Sequence, residues 1–62
     1  MKPPRRPLLT PSEVAARLRI GLSTVYRLAA EREIPSYKIG GARRFDEADL
    51  DRYLLAVRED RQ

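Results

Sequence analysis

The chain has 62 residues, a net charge of +4, no cysteine and no histidine. A chain this short makes one domain with a marginal core, because it buries only about 60% of the surface that its unfolded form exposes. Without cysteine and histidine the chain has no disulfide, no thiolate metal site and no His- or Cys-based catalysis, so we expect no enzyme, no cofactor and no metal. No apolar run is long enough to span a membrane.

The charge is unevenly distributed along the chain. Residues 1–44 carry ten Lys/Arg and three Glu, a net charge of +7, whereas residues 45–62 carry three Arg and six Asp/Glu, a net charge of −3. A basic region of this kind is typical of nucleic-acid binding. Many small soluble domains are mildly basic as well, so charge alone does not separate the two interpretations.

Residues 1–7 are predicted to form a flexible basic arm. They contain three prolines and three basic residues, have no apolar segment to bury, and lack the apolar core of a signal peptide. Arg5 and Arg6 are candidates for phosphate or minor-groove contacts. A terminus with no role is the equal alternative.

The first helix is predicted to begin at Pro11. Thr10 stands at the N-cap and Glu13 three residues later, the spacing of a capping box. Leu9 and Val14 have the spacing of a hydrophobic staple across that cap. The core-facing side chains follow at helical spacing: Val14, Ala15 and Leu18.

A second helix is predicted over Ser23–Arg32, preceded by a cap at Gly21 and a first turn that includes Leu22. The short link from Arg19 to Gly21 between two amphipathic helices predicts a helix-turn-helix, whose second helix can enter a DNA major groove. Val25, Leu28 and Ala29 are expected to face the core, and the outer residues are Ser23, Thr24, Tyr26, Arg27 and Glu31. Ser, Thr and Arg at the start of such a helix suit the reading of base edges. The alternative is that they are ordinary polar surface.

A basic β-hairpin is predicted after Ile34-Pro35, where the proline ends the helix. Two short segments flank Gly40-Gly41, and Ile39 and Phe45 are expected to be their buried members. The flanks carry three cations: Lys38, Arg43 and Arg44. We favour a wing that reaches the DNA backbone or minor groove over a clip that only covers the core, because packing does not explain so many cations.

The last helix is predicted to begin after Asp46, its N-cap. Its core stripe is predicted from the i, i+3, i+4, i+7 spacing of Leu50, Tyr53, Leu54 and Val57. The acidic residues at its start are Asp46, Glu47, Asp49 and Asp51, and we interpret them as helix-start acids rather than a metal site. Leu55 and Ala56 lie off the stripe and are the only indication of a protein–protein surface.

These segments together resemble a known family. The segments that carry the resemblance are Leu9-Thr10-Pro11-Ser12-Glu13-Val14-Ala15, Ser23-Thr24-Val25-Tyr26-Arg27-Leu28, Ile34-Pro35, Lys38-Ile39-Gly40-Gly41, Arg44-Phe45, Asp49-Leu50 and Tyr53-Leu54. In this order and spacing they resemble the excisionase-type DNA-binding domain of the MerR-like winged helix-turn-helix group, over about residues 8–57.

The resemblance implies a second helix in the major groove and a wing on the minor groove or backbone. It places Ser23 and Arg27 at base-reading positions and Thr24 and Tyr26 at backbone or base-edge contacts. The implied wing residues are Lys38, Gly40, Gly41, Arg43 and Arg44.

The chain departs from the family pattern at three positions. Arg19 stands where many relatives have Gly, so a non-glycine residue is expected in a turn that favours Gly. Arg32 stands where a helix-ending Gly is common. Gly41 leaves the wing tip bare where some relatives carry Arg or Lys.

We therefore predict a mainly α winged helix-turn-helix with a small β-hairpin, made of an arm (1–7), a DNA-binding domain (8–58) and a frayed tail (59–62). The expected function is that of a phage-type excisionase, or recombination directionality factor, which binds and bends double-stranded DNA to direct integrase-mediated excision. Expected partners are duplex DNA, an integrase and further copies side by side on DNA, with no membrane, in the nucleoid and cytoplasm of a bacterial or phage-infected cell.

Two alternatives stay open. The first is a small winged helix-turn-helix transcriptional regulator with the same DNA contacts. The second, less favoured, is a protein-interaction or antitoxin-like module whose basic face meets an acidic partner. The chain ends directly after the helix expected to close the core, which favours the free-standing excisionase.

Overall fold

The computed structural model describes residues 7–59, so Arg5 and Arg6 lie outside the described residues. The elements in chain order are α1 (Pro11–Leu18), α2 (Leu22–Ala30), β1 (Tyr37–Ile39), β2 (Ala42–Arg44) and α3 (Glu47–Val57). Three helices and a two-stranded antiparallel hairpin confirm the predicted mainly α winged helix-turn-helix. Within residues 7–59, no helix has the length and apolar character that a membrane span needs.

The start of α1 has the predicted cap. The Thr10 amide donates to Glu13 Oε1 at 2.8 Å, and the Glu13 amide donates to Thr10 Oγ1 at 3.1 Å, which completes the capping box. Leu9 and Val14 on either side of the cap are both buried. Because the cap satisfies amides that the helix itself leaves unpaired, it fixes the point at which α1 begins.

The turn of the helix-turn-helix depends on a left-handed residue at the end of α1. Arg19 has a φ of 56°, and the following amide, from Ile20, donates to the carbonyl of Ala15 at 3.1 Å. This is the conformation that Gly adopts most readily at helix ends. The expectation that a non-glycine residue occupies this turn is therefore confirmed.

Helix α2 ends at Ala30, two residues before the predicted Arg32. Arg32 has a φ of 61° and its amide donates to the Ala29 carbonyl at 3.1 Å, while the Glu33 amide donates to the Leu28 carbonyl at 2.9 Å. These two bonds form a Schellman motif. A left-handed residue cannot continue an α-helix, so Arg32 terminates α2 where Gly would ordinarily do so.

The hairpin has a two-residue turn and is attached to the N-terminal segment. Gly40 and Gly41 have φ values of 55° and 86°, the signs that a type I′ turn requires at both central residues. Beyond β2, Phe45 pairs with Leu9 through two backbone bonds, Leu9 N–H to the Phe45 carbonyl at 2.7 Å and Phe45 N–H to the Leu9 carbonyl at 2.9 Å. The segment before α1 is thereby fixed to the base of the hairpin.

The core lies between the three helices and the base of the hairpin. Its buried members are Leu9, Val14, Val25, Leu28, Ala29, Ile34, Phe45 and Leu50. An ion pair between Arg17 and Glu47 joins α1 to the start of α3. The three helices and the residue that follows β2, Phe45, thus contribute to one small core, which holds the outer face of α2 and the hairpin in a fixed relation.

Three core predictions were wrong. Ile39, Leu54 and Val57 are 55%, 45% and 49% exposed. Ile39 lies beside the hairpin turn, beyond the reach of the core, and the buried member of that segment is Phe45 as predicted. The stripe of α3 points to the correct side, but only Leu50 is buried and Tyr53 is half-buried, because the second half of the helix extends past the small core.

Candidate nucleic-acid interface

The outer face of α2 carries the predicted reading residues. Ser23, Tyr26 and Arg27 are exposed and lie at i, i+3 and i+4, so they form one row on the helix. Val25 and Leu28 anchor the opposite face in the core. Thr24, also predicted as a contact, is half-buried at the edge of this row. The structure therefore presents Ser23, Tyr26 and Arg27 together to an approaching surface.

The guanidinium of Arg27 lies near one carboxylate. Its NH1 is 3.5 Å from Oε1 of Glu31, one turn further along, and the two side chains are 59% and 52% exposed. Exposed pairs of this kind contribute about 0–1 kcal/mol. Arg27 can therefore leave Glu31 for a base edge at little cost in free energy.

Two apolar residues on this side of α2 were not recognised in the sequence as contacts. Leu22 is 44% exposed in the first turn, and Ala30 is exposed one turn beyond Arg27. Apolar side chains on a reading helix can meet the thymine methyl group. The signal in the sequence was that neither residue belongs to the core stripe of Val25, Leu28 and Ala29.

The hairpin separates its cations onto two faces. Lys38 pairs with Arg43 and Tyr37 pairs with Arg44, and neighbouring pairs along a strand point to opposite sides. Lys38 and Arg43 therefore share one face and Arg44 lies on the other. The two adjacent arginines that the sequence grouped as wing contacts do not point in the same direction.

Each of the two arginines makes a hydrogen bond within the hairpin region. Arg43 NH1 donates to Ser36 Oγ at 2.8 Å, and Arg44 NH1 donates to the Arg43 carbonyl at 2.8 Å. Both residues are half-buried, whereas Lys38, Gly40 and Gly41 are exposed. A Cβ added at Gly40 or Gly41 would meet nothing within 4 Å, so the tip of the hairpin is open on its outer side.

The acidic residues at the start of α3 have structural partners. Asp46 Oδ1 accepts from the Ala48 amide at 2.9 Å and caps the helix, as predicted. Glu47 pairs with Arg17, and Asp49 Oδ1 is 3.0 Å from Arg52 NH1. Among residues 7–59, no group of three His, Cys, Asp or Glu side chains is arranged to hold a metal ion.

Comparison with known proteins agrees with this geometry. The chain is similar to an excisionase from Streptomyces ambofaciens, with 57% identity over 37 residues. That match covers 60% of this chain and 60% of the length of the relative. No solved structure matches the chain. A family model described as a helix-turn-helix domain matches residues 8–58, so this chain belongs to the helix-turn-helix domain family.

Proposed function

We propose that this protein is a sequence-specific, double-stranded DNA-binding excisionase. The exposed row of Ser23, Tyr26 and Arg27 on α2 is the observation that carries the proposal. A helix buried on one side and polar on the other, as the second helix of a helix-turn-helix, suits insertion into the major groove. Ser23 reads or positions a base near the helix start, and Arg27 contacts guanine O6 and N7.

The hairpin supplies contacts that position the protein on the duplex. Lys38, Arg43 and Arg44 provide positive charge beside α2, and such cations bind phosphates without selecting sequence. The bare Gly40-Gly41 tip lets the backbone approach the DNA closely. Thr24 and Tyr26 contact the backbone or a base edge beside the reading residues.

The excisionase role is supported by the similarity to the Streptomyces ambofaciens protein. In this role the protein binds and bends DNA next to a recombination site and directs an integrase towards excision. Further copies bind side by side where sites adjoin. The protein itself contributes binding and DNA shape, and the proposal assigns it no catalytic step.

The test combines binding-site selection with a recombination assay. A random duplex library identifies the preferred sequence, and footprinting then locates it in the DNA that flanks the gene. Where an integrase gene adjoins the gene for this protein, excision is measured with that integrase, with and without this protein. Excision should require the wild-type chain, fail with Arg27→Ala, and persist with Arg52→Ala, which removes a guanidinium from α3 instead.

Two results would support the alternatives. Specific binding at a promoter, with altered transcription and unchanged excision, would indicate a transcriptional regulator. Absence of any salt-dependent binding to duplex DNA would reject both DNA-binding functions and leave a protein-interaction module.

A further inference from the structure

A concave cleft lies between the end of α2 and the base of the hairpin. It has a volume of about 410 Å³ and is lined by Ala29, Arg32, Ile34, Pro35, Ser36 and Arg43. Its polar lining residues are Arg32, Ser36 and Arg43, and no described Asp or Glu lines it. This combination of donors without acids suits a phosphate oxyanion.

Arg43 is held in position at the cleft by Ser36. Its NH1 donates to Ser36 Oγ at 2.8 Å, and the pair is partly buried. An arginine has five N–H donors, so one bond to a hydroxyl leaves others for a ligand. Ser36 Oγ accepts in that bond and still has its own O–H to donate. The hydroxyl therefore orients the guanidinium without neutralising it.

Arg32 borders the same cleft from the end of α2. Within residues 7–59, its guanidinium has neither an ion pair nor a hydrogen bond. Of the nearest acids in sequence, Glu31 lies by Arg27, and Glu33 lines an adjoining groove that Arg32 also borders. Among residues 7–59, neither acid forms an ion pair with Arg32. The amides of Arg32 and Glu33 already occupy the Ala29 and Leu28 carbonyls, so these helix-end acceptors are paired.

Arg32 has a side chain at a position that glycine would occupy with less strain. Its φ of 61° lies in the left-handed region, where glycine is favoured and a side chain is strained. Glycine would terminate α2 in the same way without that strain. An outlier of this kind, beside an oriented arginine and an open cleft, points to a function for the guanidinium.

We propose that Arg32, Ser36 and Arg43 together bind one phosphate of the DNA backbone in this cleft. The proposal rests on the proposed DNA-binding function and adds a site that neither α2 nor the hairpin forms alone. A phosphate held there contacts the end of the reading helix and the base of the wing at once. It fixes how far along the groove the row of Ser23, Tyr26 and Arg27 lies.

The first experiment uses Arg32→Gly, which removes the guanidinium and keeps the left-handed conformation. Binding is measured on a short duplex selected from a random library by the wild-type protein, over a range of salt concentrations. Affinity should fall on the order of tenfold, as for a lost bond to a charged group, and the salt slope should fall by about 1. The thermal midpoint should stay the same or rise, which excludes unfolding as the cause.

The second experiment identifies the phosphate. Single neutral methylphosphonates replace each phosphate of the selected duplex in turn. At one position the replacement should weaken wild-type binding at least as much as Arg32→Gly does, and should weaken binding by Arg32→Gly less than it weakens binding by the wild type. Arg43→Ala should show the same coupling at the same position. Arg52→Ala, which removes a guanidinium outside the cleft, should show no coupling at any position.

The outcomes distinguish a failure of the cleft proposal from a failure of the proposed DNA-binding function. Specific wild-type binding with unchanged affinity and salt slope in Arg32→Gly and Arg43→Ala would overturn the cleft and leave the DNA-binding function intact. Weaker binding without a coupled phosphate would also overturn it, because that pattern reflects a long-range charge effect. No wild-type binding to duplex DNA would overturn both proposals.

Discussion

Arg27 is the residue on which sequence selectivity is expected to depend most. It is exposed on α2 and its only described ion-pair neighbour is Glu31, at 3.5 Å. If it binds one guanine, Arg27→Ala should cost about 1–3 kcal/mol on the selected duplex and relax preference at one base pair. Binding-site selection with both proteins measures this. A uniform loss of affinity with unchanged base preferences would make Arg27 a phosphate contact instead.

Arg19 is a residue at which the sequence is not optimal for stability. A non-glycine side chain in the left-handed conformation costs about 1–2 kcal/mol of folded-state strain, which glycine removes. Glycine also gives the unfolded chain more conformational entropy, which lowers stability by about 0.5–1 kcal/mol. We therefore expect Arg19→Gly, at a φ of 56°, to stabilise the fold by about 0.5–1 kcal/mol.

Thermal melts of Arg19→Gly and of a control with glycine inside α1 check this expectation. A gain of this size should raise the melting temperature by a few degrees in a domain of about this length. Ala16→Gly, placed within Pro11–Leu18, should lower stability by about 0.8–1.0 kcal/mol. Equal destabilisation by both substitutions would show that Arg19 makes a contact that outweighs its backbone strain.

At the scale of elements, only the first half of α3 packs against the core. Leu50 is 2% exposed and Leu54 is 45% exposed, although both lie on the same apolar stripe. Leu50→Ala should destabilise the protein by about 2–5 kcal/mol through loss of buried contacts and a residual cavity. Leu54→Ala should cost only about 0.5 kcal/mol.

Urea unfolding of the two variants measures this difference directly. Because both substitutions are Leu→Ala in one helix, helix propensity is the same in each and cancels in the comparison. Equal losses of unfolding free energy would mean that the second half of α3 is covered in solution, by the core or by another chain.

The correct predictions were those that depend on local sequence signals. The capping box of Thr10 and Glu13, the Asp46 cap and the Gly40-Gly41 turn each depend on residues only a few positions apart. Such signals act through short-range hydrogen bonds and backbone preferences, which a sequence displays directly.

The errors concern how far the core extends. Periodicity identified the correct side of α3 but not the length of core beneath it, so Leu54 and Val57 were wrongly placed inside. The prediction that Ile39 is buried was wrong for the same reason, because the core does not extend to the turn of the hairpin. The Leu9–Phe45 bridge joins distant segments and left no periodic signal in the sequence.

The exposed positions of Ser23 and Arg27 on α2 were predictable, whereas the faces that the hairpin arginines occupy were not. Ser23 and Arg27 followed from the helical period of α2, since the core stripe fixes the opposite side. Arg43 and Arg44 point to opposite faces because side chains alternate along a strand. Which face each arginine takes depends on the strand register, because a shift of one residue reverses every side chain.

At the scale of the whole molecule, Phe45 links the hairpin to the segment before α1 and to the start of α3. It is fully buried, pairs with Leu9, and directly precedes the Asp46 cap of α3. Phe→Ala in a core costs about 3–5 kcal/mol, and a domain of this size has a net stability of only about 3–9 kcal/mol.

We therefore expect Phe45→Ala to lose most of its cooperative unfolding transition in a thermal melt followed by far-UV circular dichroism. DNA binding should be lost with it, although Phe45 lies in the interior, away from the proposed contact surface. Phe45→Leu, which keeps most of the buried volume, should retain the transition at a lower temperature. A fully cooperative melt for Phe45→Ala would show that the helices are stable without the hairpin.

The Leu9–Phe45 bridge also has a consequence for the order in which the molecule folds. Helices α1 and α2 and the hairpin turn close over short stretches of chain, whereas the bridge must bring together residues that are 36 positions apart. Loop closure of that length is entropically costly, so we expect the bridge to form late. Once formed, the bridge joins two residues that are buried in the core. In native-state hydrogen exchange, the Leu9 and Phe45 amides should therefore open only with global unfolding, whereas amides near Gly40 exchange through local fraying. The hairpin can thus fluctuate at its tip while its base stays fixed until the whole domain unfolds.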